Sequence, residues 1–93
     1  MILFFETSER KVIAHTAQET YTVPLKLYEL ERNLPTNFIR GSKSALVNVD
    51  QIFSVDHSLR GNLVKFRNSY KQLYISRGYY KEFKRVLDER SRL

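Results

Sequence analysis

The 93-residue chain contains no cysteine and no tryptophan, and it has only three glycines and two prolines. Without cysteine there is no disulfide framework, no thiolate metal site and no cysteine nucleophile, which fits a reducing cytoplasm. None of the glycines is spaced as G-x-x-x-x-G-K, so the sequence offers no phosphate-cradling loop for nucleotide hydrolysis. The apolar opening Met1-Ile2-Leu3-Phe4-Phe5 ends at Glu6, far short of a signal-peptide core or of the roughly 20 apolar residues that span a bilayer. His15 and His57 each lie in a strand-like pattern, with no H-x-x-x-H or H-E-x-x-H, and fit satisfied sheet histidines better than metal ligands. No serine is flanked as G-x-S-x-G. The carboxylates sit beside cations at helical spacing, as in Glu29/Arg32 and Glu82/Arg85, and read as solvated pairs, not as an acid–base dyad. No catalytic residue, metal or cofactor is expected.

What the chain does have is positive charge. Sixteen Lys and Arg face ten Asp and Glu, a formal +6, and the isoelectric point near 9.8 exceeds the value of about 9 that marks many nucleic-acid-binding domains. Hydrophobic residues at 42% and aromatics at 13% argue for a folded core. The length allows one domain, residues 1–93, built on one core, with any site on its rim.

Along the chain, residues 2–6, 11–16 and 20–23 are short β-branched or apolar runs separated by polar breaks, a pattern that predicts three antiparallel strands in meander order. Pro24 suits the first turn of a helix, with Thr22 near enough to cap it. Leu27, Leu30 and Leu34 then form its apolar stripe, and Leu34-Pro35 ends it. Residues 45–49, 52–57, 63–67 and 70–76 predict further strands, with a turn over 59–62 and another at Asn68-Ser69. Tyr79, Phe83 and Val86 mark a second amphipathic helix over 79–87, and 88–93 reads as a fraying tail.

One stretch stands apart. Between Phe38 and the apolar run at 45–49, the segment Arg40-Gly41-Ser42-Lys43-Ser44 sets two cations and two hydroxyls around a glycine. Its donors suit phosphate oxygens and base edges, and the glycine would allow a sharp turn and a close approach to a ligand. Cations recur at other predicted loops or strand ends: Arg10, Lys11, Arg60 and Arg77. Arg60 and Arg67 read as ordinary surface charge. Lys43 and Arg77 differ, because each sits beside hydroxyls and a glycine at the end of a core strand, which fixes its origin in space.

The series Ile2-Leu3-Phe4-Phe5-Glu6, Leu25-Lys26-x-x-Glu29-Leu30, Leu34-Pro35, Phe38-Ile39-Arg40-x-x-Lys43-Ser44-x-x-Val47-Asn48, Ile52 and Ile75-Ser76-Arg77-x-Tyr79 resembles the LytTR DNA-binding domain over nearly the whole chain. That family supplies output domains of bacterial response regulators in two-component systems. The resemblance implies a mainly β fold with two short helices, an elongated stack of antiparallel sheets that reads duplex DNA by loops entering the major groove. It implies base contacts from Arg10, Lys43 and Arg77, with Lys11, Arg40, Ser42, Ser44 and Ser76 as backbone or loop-shaping contacts. It also implies a cytoplasmic transcription regulator acting as a homodimer on promoter repeats. Two departures are visible: Gly41-Ser42 stands where members often carry Cys- or His-type residues, and the chain starts where the third strand would be expected, without an N-terminal strand pair or a receiver domain. Two other readings use the same residues. Tyr70, Tyr74 and Tyr79 would serve an RNA-binding module by stacking, and an open sheet edge would serve a protein-interaction module.

Overall fold

The computed structural model describes residues 1–90, and these order as β1 Phe4–Ser8, β2 Lys11–His15, β3 Thr20–Val23, α1 Leu27–Asn33, β4 Phe38–Ser42, β5 Ala45–Asn48, a 3-10 turn Val49–Gln51, β6 Ile52–Ser58, β7 Gly61–Phe66, β8 Gln72–Ile75 and α2 Arg77–Arg90. All strand pairs are antiparallel. They form a five-stranded sheet in the order β3-β2-β1-β5-β4 and a three-stranded sheet in the order β6-β7-β8. The expected mainly β fold with two helices is therefore present.

Successive strand residues point to opposite faces, and the central strands use both. Phe5, Val12, Ala14 and Leu46 face Leu27 and Leu30 of α1. Phe4 and Val47 face the other way, into a second cluster with Val64, Phe66 and Ile75 of the smaller sheet and Phe83 of α2. Burial on both faces explains why β5 opens as the apolar run Ala45-Leu46-Val47 and not as an alternation. The molecule measures 33 × 28 × 27 Å, so its elongation is slight, because this shared cluster draws the two sheets together.

Several boundaries differ from the sequence reading. Helix α1 starts at Leu27, not Pro24, and Thr22 lies too far upstream to cap it. Glu29 caps it instead, accepting the Lys26 backbone N–H at 2.9 Å. That leaves Arg32 over the ring of Tyr28 at 5.4 Å rather than on Glu29. Helix α2 begins at Arg77 and runs to Arg90. Asp88 and Glu89 are thus helical, tied back by Lys84 and Arg85, and Arg90 reaches across to Asp50 at 2.7 Å. The remainder of the expected tail lies outside the described residues.

The largest correction concerns residues 40–42. They belong to β4, paired with β5 through Arg40↔Leu46 and Ser42↔Ala45, with Gly41 as the extra residue of a bulge. Gly41 is buried, and a Cβ there would lie 2.7 Å from Ile75 Cδ1 and 3.0 Å from Val47 Cγ2. The close approach it permits is to the fold's own core and not to a ligand.

Candidate nucleic-acid interface

Strand pairing alone gathers the basic loops. The β1–β2 turn lies at the C-terminal end of β1, and antiparallel pairing of β1 with β5 sets the β4–β5 turn beside it. The Thr7 N–H donates to the Ser44 carbonyl at 2.8 Å, which ties the two turns together. On the far side of β4, the Ser76 N–H donates to the Gly41 carbonyl at 2.8 Å, so the start of α2 is fixed to the same end. Arg77 Nη2 then donates to the Leu59 carbonyl at 2.9 Å and brings in the β6–β7 turn. Four loops are thus linked along one margin, and Arg10, Lys43 and Arg77 each belong to one of them.

Each loop holds its cation differently. Ser8↔Lys11 pairing closes the first hairpin on Glu9 and Arg10, whose φ values are 50° and 68°. Both central residues are left-handed, as a type I′ hairpin turn requires. Without glycine there, the conformation costs on the order of 1 kcal/mol per residue. At the β4–β5 turn, Ser42 Oγ accepts the Ser44 N–H at 3.2 Å and lies 3.4 Å from Ser44 Oγ. Arg40 Nη1 donates to the Lys43 carbonyl at 2.6 Å, while its Nε donates to Glu31 Oε1 at 3.0 Å. Arg40, with its side chain 20% exposed, is therefore a brace between α1 and the turn, and it presents Lys43.

The side chains of Arg10, Lys11, Lys43 and Arg60 are exposed and carry no hydrogen bond or ion pair among the described residues. Arg77 spends one N–H on Leu59 and keeps the rest of its fork. Ser76 is exposed and contributes its backbone N–H to the seam. A shallow groove of about 600 Å³ beside Arg10 and Lys11 leads to Lys26 at the start of α1 and extends the basic margin.

Arg60 is the residue that reading the sequence set aside. It occupies the two-residue β6–β7 turn, closed by Ser58↔Gly61 pairing and by the Arg60 N–H donating to Ser58 Oγ at 3.2 Å. Pairing of Asn62 with Ile75 puts that turn next to Ser76 and Arg77. The sequence marked this turn through Gly61, whose φ is 127°. Arg67 falls at the opposite end, where its N–H donates to the Gln51 carbonyl.

Elsewhere several charges are paired. On α2, Arg85 holds Glu82 below the usual carboxylate range, and across the cleft Arg90 does the same to Asp50, both mainly by hydrogen bonding. His15 is stacked on Phe4 at 4.3 Å, with Nε2 2.8 Å from Glu6 and Nδ1 3.3 Å from Lys71 Nζ, a satisfied position within the sheet. His57 pairs with Asn62. Among the described residues no group of His, Cys, Asp or Glu is arranged to hold a metal ion. No helix among them is long and apolar enough to cross a membrane. Tyr70, Tyr74 and Tyr79 fall respectively before β8, on β8 and on α2, so they do not lie on adjacent strands as a base-stacking platform would.

The family model described as the LytTr DNA-binding domain matches residues 1–88. Two Staphylococcus aureus proteins, from strains NCTC 8325 / PS 47 and COL, both described as uncharacterized HTH-type transcriptional regulators, are 34% identical over 86 residues. That alignment covers 92% of this chain, which spans only 58% of the length of those relatives. Among solved structures, the LytTr DNA-binding domain of a Bacillus cereus protein described as a methyl-accepting/DNA response regulator superposes with a TM-score of 0.83 at 26% identity. It covers 92% of this chain and 80% of that one.

Proposed function

Because the chain belongs to the LytTR DNA-binding domain family, we propose that it binds duplex DNA sequence-specifically, with Arg10, Lys43 and Arg77 reading bases in the major groove. The observation that carries this reading is the common margin: four loops, joined by two backbone hydrogen bonds and by the Arg77 side chain on the Leu59 carbonyl, present cations with few or no internal partners. Loops fixed by a sheet place side chains as well as a recognition helix does, since reading bases needs a fixed origin and not a particular element. The helices are poorly suited to that task. α1 has only seven residues, and α1 and α2 are separated by five strands, so they form no helix-turn-helix. The outer face of α2 spends Lys84 and Arg85 on its own carboxylates.

In this reading Lys11 and Arg60 neutralise backbone phosphates, and Ser42, Ser44 and Ser76 meet phosphates or shape the turns. Arg40 acts mainly through Lys43. The relatives' description as transcriptional regulators supports a role in transcription regulation, exercised in the cytoplasm. Homodimeric binding to promoter repeats one helical turn apart follows from the family resemblance. Selection of bound duplexes from a random-sequence pool tests the whole proposal: enrichment of a paired motif is expected. Recovery of duplexes without any shared sequence would reduce the domain to a nonspecific polyanion binder, and preference for single-stranded RNA would favour the RNA-binding reading.

A further inference from the structure

At the tip of the β6–β7 turn, between two strands and beside two arginines, Leu59 is 94% exposed. Singly exposed leucines are ordinary on protein surfaces, but this one is held in an unusual way. Its carbonyl oxygen accepts Arg77 Nη2 at 2.9 Å. The turn is closed further by Ser58 Oγ, which donates to the Gly61 carbonyl at 3.0 Å and accepts the Arg60 N–H. The Leu59 backbone is therefore fixed to the guanidinium proposed to read a base, while its side chain contacts almost nothing within the fold. An apolar group on a braced turn, in a margin made mainly of cations and hydroxyls, has one natural counterpart on B-DNA. That is the thymine C5-methyl, the apolar mark displayed on the major-groove edge.

From this juxtaposition, and resting on the DNA-binding reading above, we infer that Leu59 is a specificity residue that packs on a thymine C5-methyl next to the base contacted by Arg77. Arg77 and Leu59 then read neighbouring positions as a unit, one by hydrogen bonds and one by methyl burial. The turn serves as the spacer that sets the two readers side by side. Arg60, on the same turn, meets the phosphate alongside.

The test uses the duplex selected by the full chain and a set of copies in which each thymine is replaced, one at a time, by deoxyuridine. This change removes the methyl and keeps the Watson–Crick bonds. For the parent protein, one such replacement near the Arg77-dependent base weakens binding about fourfold, the value of burying one methyl-sized group. Leu59→Ala keeps the carbonyl that Arg77 uses and removes only exposed atoms, so its fold and its Arg77 dependence are retained. That variant binds the thymine duplex about fourfold more weakly than the parent and no longer distinguishes thymine from deoxyuridine at that position. The inference is overturned if Leu59→Ala keeps the parent's discrimination, if its loss is equal on every duplex with the discrimination intact, or if no single replacement weakens the parent. In each of those cases a persistent penalty for Arg77→Ala on the selected duplex shows that the DNA-binding reading itself still stands. A parent protein that enriches no sequence overturns both together.

Discussion

Ser76 donates its backbone N–H to the carbonyl of Gly41 at 2.8 Å, and that bond fixes the start of α2 to the strand that leads into Lys43. It sits at the seam of the two sheets. Gly41 is the bulged residue of β4, and its missing side chain leaves the space that Ile75 Cδ1 fills. The relative placement of Lys43 and Arg77 thus depends on a residue that touches no ligand. Each part of this arrangement has a measurable consequence.

Gly41→Ala places a Cβ 2.7 Å from a fully buried isoleucine. Overpacking of this kind costs about 1–3 kcal/mol. The urea midpoint should fall with the slope unchanged, and the folded fraction should bind duplex more weakly. A variant as stable as the parent would mean that the seam yields at little cost.

Arg77→Ala should lose about 1–3 kcal/mol on the selected duplex and much less on random duplex, as expected for a bidentate base contact. Arg77→Lys should not restore the loss, because an ammonium cannot reproduce the planar fork. Equal losses on both duplexes would make Arg77 a phosphate contact.

The 2.6 Å bond from Arg40 to the Lys43 carbonyl predicts that the two residues act together. Arg40→Ala and Lys43→Ala should each weaken binding, and the double variant should fall short of the sum by about 0.5–3 kcal/mol. Strict additivity would give Arg40 a phosphate of its own.

Arg60→Ala should weaken binding to all duplexes alike and reduce the log–log salt slope by about 0.9, one phosphate's share. An unchanged slope would remove Arg60 from the interface.

Asp50 ties the 3-10 turn to the end of α2 through Arg90, and that hydrogen-bonded partner lowers its pKa from the ordinary 3.8. A carboxylate with a depressed folded pKa stabilises the fold fully above its unfolded value, and the stabilisation is lost as the pH falls through the lowered value. Asp50→Asn should therefore reduce the melting temperature by a few degrees near neutral pH, the modest effect of a half-exposed pair. The difference should vanish in strong acid. A gap that persisted there would point to packing, not charge.

Much of the fold was legible from residue order. The β-branched runs marked their strands, Leu27 and Leu30 marked the buried stripe of α1, and Phe83 marked that of α2. Tyr79 was less informative, since Tyr80 packs against the core together with Val86 and Leu87. Strand β4 was missed because Arg40-Gly41-Ser42 reads as polar loop. A strand can carry such residues where a bulge and a neighbouring isoleucine accommodate the glycine.

By itself the sequence determined the chemistry: an excess of cations, no thiols, no catalytic constellation, and apolar periodicities that commit the chain to strands with two helices. It also singled out Lys43 and Arg77 as candidates, since each adjoins a strand whose burial is evident locally. Tertiary structure alone decided which turns are neighbours. That outcome depends on pairing between residues distant in sequence, β1 with β5 and Ser76 with Gly41, and no local pattern encodes it. The same pairing brought Arg60 and Leu59 beside Arg77 and turned Arg40 from a surface cation into a brace.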